Sequence, residues 1–233
     1  MPRSASGRSK ATHRDAAAPP ELEGRRGRAR ELGRALGAAL DDPDALSGQL
    51  RAALVELSDE PYRQELKRVA PGIAHVIGVR NPLIGALIGG LRPALRRARP
   101  AEALFVAERL SRQDELELRQ VSLAFLRRSL ADDPERTWQL MRRLGRRAAD
   151  WISVDSLARL FGEGILREPF RWAEIEQLVY AESAWERRLA AATVAVLRSI
   201  ARELAARGVI AQRLGPAAVT RGLDVLGSLL GDA

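Results

Sequence analysis

The sequence predicts an all-α fold made of stacked helix pairs, and three observations support this prediction. Ala, Leu, Arg and Glu dominate the 233 residues, while aromatic residues make up only 4%, a composition that favours helices over strands. Apolar residues recur at helical spacing from about residue 21 onward. Prolines interrupt this spacing often, so that no predicted helix is longer than about 25 residues.

The chain divides into a tail and one helical domain. Residues 1–20 contain small, polar, basic and proline residues without an apolar face, and they are predicted to be a disordered basic tail. Residues 21–233 are predicted to form one helical-repeat DNA-binding domain, since this length can bury a single sizeable core. The final run, GPAAVTRGLDVLGSLLGDA, is predicted to be a short capping helix.

The first helices are predicted from leucines at four-residue steps. One helix contains Leu32, Leu36 and Leu40 and ends at the Asp-Asp-Pro run at 41–43, and the next begins near Leu46. Further prolines are expected to divide the rest of the chain into short helices: Pro61, Pro71, Pro82, Pro93, Pro100, Pro134, Pro169 and Pro216.

A helix with apolar residues around most of its circumference is predicted after Asp114. It runs from Leu116 to about Leu130 and needs partners on both sides, as an inner helix of a solenoid does. The segment from Trp185 repeats the pattern. The repeats differ in sequence, so the prediction of an α-solenoid of HEAT-like repeats depends on the rhythm of the helices.

The composition excludes several classes of chemistry. The chain has no cysteine, which rules out disulfides, thiolate metal sites and thiol nucleophiles. His13 and His75 are the only histidines, so a metal site is not expected, and His75 is predicted to be a partly buried helix residue. The sequence has neither an apolar run long enough to span a membrane nor a signal peptide, and a cytoplasmic location is expected.

The net charge of +8 comes almost wholly from arginine. Guanidinium groups bind phosphates in a bidentate manner, which favours a polyanionic partner, although a GC-rich genome would also enrich arginine. Several arginine doublets stand near predicted helix C-termini, where they stabilise the helix dipole without any ligand. The doublets are Arg25-Arg26, Arg96-Arg97, Arg127-Arg128, Arg142-Arg143, Arg146-Arg147 and Arg187-Arg188.

Candidate site residues cluster between residues 142 and 192. Trp151 and Asp155 are four residues apart, so a helix places them on one face. On the same helix Val154, Leu157 and Phe161 are expected to face the core. A second helix opens with Trp185-Glu186-Arg187-Arg188. The remaining tryptophans, Trp138 and Trp172, are expected to be core anchors.

These motifs carry a family resemblance. The pattern W-x-x-V-D, then W-x-R-R, preceded by E-x-R-x-x-x-x-x-x-L at Glu117 and Arg119, resembles the AlkD-type DNA alkylation-repair glycosylases with HEAT-like repeats, over about residues 60–200. The resemblance implies a monomeric curved solenoid that grips duplex DNA in its concave face. It also implies hydrolysis of the N-glycosidic bond of cationic N3- or N7-alkylated purines, without a metal or an organic cofactor.

The resemblance also assigns roles to residues. Trp151 and Asp155 would contact the deoxyribose of the lesion, with Asp155 as the electrostatic catalyst. Arg188 would hold the DNA backbone nearby, with Arg187 as the alternative. We assign Trp185, and the doublet Arg146 and Arg147, to the same DNA-binding surface.

The sequence departs from the family pattern at one place. Family members carry another tryptophan on a later helix, in a run resembling I-R-K-A-I-G-W-A-L-R, whereas residues 189–233 contain no tryptophan. Either another side chain takes this role, or the protein keeps the scaffold with weak or altered activity. Two alternatives therefore stand beside the glycosylase: a non-catalytic relative that binds damaged or branched DNA, and a helical-repeat scaffold for protein interactions.

Simpler roles for the same residues also remain open. Trp151 could only pack against the core, and Asp155 could cap a helix or form a structural ion pair. Arg187 and Arg188 could pair with Glu182 or Glu186 on the surface. Convergence of Trp151, Asp155 and Arg188 on one open cleft would favour the functional interpretation.

Overall fold

A computed structural model of the chain describes residues 20–70, 73 and 75–206. The tail predicted for residues 1–20 lies outside them apart from Pro20, and so does the capping helix predicted at the end of the chain.

Helices make up almost all regular structure of the described residues, and no β-strand occurs among them. His75 and Glu115 form an isolated β-bridge. The predicted all-α helical-repeat solenoid is confirmed. The α-helices are α1 (Pro20–Leu36), α2 (Pro43–Glu56), α3 (Glu60–Val69), α4 (Asn81–Arg97), α5 (Pro100–Ser111), α6 (Leu116–Ser129), α7 (Pro134–Arg147), α8 (Trp151–Arg167), α9 (Trp172–Gln177) and α10 (Ala184–Ala206). Short 3₁₀ helices cover Gly37–Ala39, Pro169–Arg171 and Leu178–Tyr180.

Aspartates begin several of these helices. The carboxylates of Asp42, Asp59, Asp133 and Asp150 accept hydrogen bonds from backbone N–H groups in the first turns of α2, α3, α7 and α8. Each bond satisfies a donor that has no partner inside its helix. The shortest joins the Ser153 N–H to Asp150, at 2.7 Å.

The prolines mark helix starts with one exception. Pro93 lies inside α4, where the sequence predicted a boundary. A proline leaves the carbonyl of the residue four positions earlier without a donor, and its ring crowds that carbonyl. Here that residue is Gly89, which is exposed, so the carbonyl is open to water. Pro71 and Pro216 lie outside the described residues, and the other prolines start helices as predicted: Pro61, Pro82, Pro100, Pro134 and Pro169.

The helices pack in successive layers. Helix α1 packs against α4, α5 against α6, and α8 against α10, while α6 also contacts α4 and α8. In α6 the side chains of Leu118, Val121 and Phe125 are fully buried. The prediction that α6 is an inner helix with partners on both sides is therefore confirmed.

Two glycines allow α1 and α4 to cross at very short range. A Cβ atom added to Gly33 would lie 2.0 Å from the carbonyl oxygen of Leu87, and one added to Gly90 would lie 2.1 Å from that of Arg30. No side chain can occupy either position without separating the two backbones. The crossing therefore requires glycine on both helices.

A buried arginine organises the later layers. Trp138 is fully buried and packs edge-on against Phe161, with ring centroids 4.8 Å apart. The guanidinium of Arg171 lies 4.8 Å from the Trp138 ring and donates to Glu168 at 2.6 Å and Glu135 at 3.1 Å. Trp138 is a core anchor as predicted. Trp172 also packs against the core, although it is only partly buried.

Among the described residues, none of the helices has the length and apolar content that a membrane crossing needs.

The adjacent glycines 89 and 90 provide a test of the crossing. We expect Gly90→Ala to lower the free energy of unfolding by about 1–3 kcal/mol, because its methyl group meets the backbone of Arg30. Gly89→Ala should instead raise the free energy of unfolding by roughly 0.5–1 kcal/mol, since nothing lies near the added methyl and alanine favours helix. Urea denaturation of both variants measures the difference. Equal effects would contradict the close crossing.

Candidate functional site

Trp151 and Asp155 lie on one wall of an open groove of about 570 Å³. Both project from the first turns of α8, and they remain 40% and 42% exposed. The opposite face of α8 is buried through Val154, Leu157 and Phe161. The predicted division of this helix into a groove face and a core face is confirmed.

Arg188, near the start of α10, binds the Asp155 carboxylate with both ends of its guanidinium. Its Nε donates to Oδ1 at 3.1 Å and its Nη2 donates to Oδ2 at 2.9 Å. Arg187 points elsewhere and donates to the carbonyl oxygens of Ala181 and Glu182, each at 2.7 Å. Within the described residues neither arginine forms the ion pair with Glu182 or Glu186 that the sequence left open. The structure thus places Trp151 and Asp155 on the groove and Arg188 on Asp155, although Arg188 does not itself line the groove, and it does not bring Arg187 to Asp155.

The other residues assigned to DNA binding do not line the groove. Trp185 is half-buried and packs against the hydrophobic core beside the start of α10. Arg146 and Arg147 are exposed in the last turn of α7. Arg147 lines a second cavity next to the groove, and Arg146 lines neither the cavity nor the groove.

We call this second cavity the side cavity. Its volume is about 370 Å³. It meets the groove along Gln120, Leu123 and Ser156, which line both spaces. Its other polar lining residues are Ser111, Arg112, Gln113, Arg119, Ser122, Arg147, Asp150 and Ser153.

Tyr62 of α3 also lines the groove, and it is not among the site residues predicted from the sequence motifs. The Arg80 guanidinium stacks over its ring at 5.0 Å from the centroid. Burial raises the pKa of the Tyr62 phenol above its ordinary value, so the hydroxyl stays protonated at neutral pH. The only signal in the sequence was a single aromatic residue in a short helix that is rich in charged residues.

Asp59 fixes the position of Tyr62. Its carboxylate accepts the Tyr62 backbone N–H at 2.9 Å and the Arg80 Nε–H at 2.9 Å. These two interactions, the backbone bond first, lower the pKa of Asp59 below its ordinary value. Asp59 is therefore ionised at neutral pH, and it holds both the start of α3 and Arg80.

Glu117 of α6 ties the two sides of the groove together. Its side chain is 1% exposed and accepts the backbone N–H groups of Ile77, Gly78 and Val79 at 2.9, 2.7 and 3.1 Å. Gly78 has a φ of 95°, which favours glycine. The three bonds hold the segment before α4 in a non-helical path.

This path corrects one prediction. His75 was expected in a partly buried helix, but it is exposed in the connection between α3 and α4. Its carbonyl oxygen accepts the Leu116 N–H at 2.9 Å. The apolar spacing of this segment is compatible with a helix, yet the donors that a helix would use internally are bonded to Glu117.

Arg119 connects α6 to the start of α8. Asp150, which is 6% exposed, accepts both the N–H and the hydroxyl of Ser153 at 2.7 Å. Arg119 donates to the second carboxylate oxygen of Asp150 at 3.4 Å and to the Asp114 carbonyl at 2.6 Å. These contacts orient the turn that carries Trp151.

A family model for DNA alkylation repair enzymes matches residues 50–218. The chain belongs to the DNA alkylation repair enzyme family. The matched residues include both sides of the groove, with Tyr62, Glu117, Asp155 and Arg188. Membership of this repair family supports a role in DNA repair and indicates DNA as the partner.

No curated protein and no solved structure matches this chain significantly. Across its described residues, no group of three His, Asp or Glu side chains is placed to hold a metal ion. Its groove instead offers a carboxylate, guanidinium groups and aromatic rings.

The Glu117 contact predicts a large effect of a small substitution. Glu117→Gln has one carbonyl oxygen for three N–H donors and places an amide NH₂ among them, so we expect a loss of about 1–3 kcal/mol in the free energy of unfolding. Glu163→Gln is the control, since Glu163 pairs with Arg127 on the surface and should change stability by at most about 1 kcal/mol. Chemical denaturation compares the two. Similar losses would mean that the Glu117 bonds contribute little.

Proposed function

We propose that this protein is a DNA glycosylase that hydrolyses the N-glycosidic bond of cationic N3- or N7-alkylated purines in duplex DNA. The observation that carries the proposal is the open position of Asp155 beside Trp151, on a groove that Arg127 and Arg159 also line. We further propose that the protein acts as a monomer in the cytoplasm.

The reaction suits these side chains. An alkylated purine cation leaves as a neutral base, so no general acid has to protonate it, and the main requirement is to stabilise the sugar oxocarbenium ion. A carboxylate about 4 Å from that ion, at an effective dielectric near 20, contributes roughly 4 kcal/mol, or about three decades of rate. Asp155 can also orient the water that attacks the sugar. The face of Trp151 adds about 0.5–2 kcal/mol next to a cation.

The pairing of Asp155 with Arg188 is compatible with this role. Both side chains are close to half exposed, at 42% and 45%, and an exposed pair of this kind contributes only about 0–1 kcal/mol. A DNA phosphate can therefore take over Arg188 at little cost, since it offers the same bidentate geometry as a carboxylate. Arg188 would then hold the backbone, and the charge of Asp155 would be free for the sugar.

The missing tryptophan favours a second candidate function. Residues 189–233 contain none, and a protein without this aromatic contact could bind damaged or branched DNA without cleaving it. Tyr62 and its stacked Arg80 offer another aromatic surface on the groove. The glycosylase is our first proposal because Asp155 is exposed and adjacent to Trp151.

Base release tests the proposal directly. The protein is incubated in excess over methylated duplex DNA, and released 7-methylguanine is measured by chromatography. Asp155→Asn should slow release by roughly 10²–10³-fold, because the amide cannot stabilise the oxocarbenium ion by charge. Asp132→Asn is the matched control, since Asp132 is 44% exposed and also pairs with an arginine, Arg128, away from the groove. It should release base at the wild-type rate.

The outcome separates the candidates. Salt-sensitive DNA binding without base release by the wild-type protein would reject the glycosylase and favour the non-catalytic DNA-binding protein. Absence of DNA binding would reject both and leave the protein-interaction scaffold.

A further inference from the structure

We propose that the side cavity binds a backbone phosphate of the DNA strand, one or two nucleotides from the nucleotide at Asp155. This inference rests on the proposed function, since it requires duplex DNA in the groove. It adds a separate anchoring site to the contact at Arg188.

The charge of the side cavity favours an anion. Three guanidinium groups and one carboxylate line it: Arg112, Arg119, Arg147 and Asp150. Arg119 is engaged with Asp150, and Arg112 pairs with Glu108 at 2.7 Å. Across the described part of the chain, Arg147 has neither an ion pair nor a side-chain hydrogen bond. Its charge is therefore available to a ligand.

Neutral donors complete the site. The hydroxyl of Ser156 and the amide of Gln120 line the cavity, and among the described residues neither forms a side-chain hydrogen bond. A guanidinium with hydroxyl and amide donors is a usual set of contacts for a DNA phosphate. Arg147 is the residue that would supply the charge.

The spacing along α8 relates this cavity to the reaction centre. Asp150 borders the cavity and Asp155 faces the groove, five residues further along. Five residues of helix span about 7.5 Å, and phosphates recur about every 3.4 Å of axis along a DNA strand. Neighbouring phosphates lie further apart in space than this axial rise, so a phosphate in the cavity belongs to a nucleotide at most about two steps from the one at Asp155.

The continuity of the two spaces supports the same strand running through both. Gln120 and Ser156 border the groove and the cavity alike. A strand held by Arg188, which binds Asp155 in the free protein, could pass Asp155 and place its next phosphates beside Arg147. Two fixed phosphates would set the position of the sugar between them.

Arg147 and Arg136 give a test within one helix, because both are exposed on α7 but only Arg147 lines the cavity. Arg136 lies in the first turn of the helix and lines neither the cavity nor the groove. Duplex binding by wild type, Arg147→Gln and Arg136→Gln is measured by fluorescence anisotropy over a range of salt concentrations. Loss of one phosphate contact should lower the slope of log K against log salt by about 0.9 in Arg147→Gln. Arg136→Gln should keep the wild-type slope.

The results distinguish the two proposals. If wild type shows no salt-dependent binding, the proposed function fails and the cavity proposal fails with it. If wild type binds but Arg147→Gln keeps the wild-type slope, the phosphate site at Arg147 is wrong while the glycosylase proposal stands. Circular dichroism checks that the surface substitutions leave the helices intact.

Discussion

The geometry of the groove depends on the buried carboxylate of Glu117. Removing a charge from water is costly, and three charge-assisted bonds to the N–H groups of residues 77–79 offset that cost. The same helix, α6, carries Arg119, which reaches Asp150 at the start of α8. Helix α6 therefore positions two parts of the site. One is the connection between α3, which carries Tyr62, and α4, and the other is the turn that carries Trp151.

The rest of the solenoid keeps α6 in place through short-range packing. Glycines 33 and 90 allow the backbones of α1 and α4 to come into contact, and a side chain at either position would force them apart. On the other side, the buried Arg171 joins α7 and α9 through Glu135 and Glu174 while it stacks on Trp138. Electrostatic stabilisation of a transition state works only when the charged group is already in position, so the reaction proposed at Asp155 requires this rigidity.

The ion pair between Asp155 and Arg188 connects DNA binding with chemistry. In the free protein the charges of Asp155 and Arg188 partly neutralise each other. Asp155 therefore forms no ion pair with another arginine among the described residues. The proposed phosphate contact would separate Asp155 from Arg188, giving the cation to the backbone and the anion to the sugar. The weak net energy of an exposed pair makes this exchange possible, whereas a buried pair would resist it.

Local chemistry decided the helices, and these could be predicted from sequence. Leucine spacing, aspartate caps and prolines at the first helical positions act within a few residues, so α8 and its shared face of Trp151 and Asp155 follow from helix geometry alone. The sequence motifs were also specific enough to identify the family that the comparison of residues 50–218 established.

Only the tertiary structure decided which neighbour of each doublet faces the site. Successive residues on a helix point about 100° apart, so the selection of Arg188 over Arg187 depends on how α10 crosses α8. The helical spacing around His75 was overruled by Glu117 of α6, which binds the N–H groups of residues 77–79. Helix α4 continues through the boundary expected at Pro93 and ends at Arg97. The position of Tyr62 on the groove also depends on long-range contacts that set the path of the chain. The local sequence around Tyr62 does not predict these contacts.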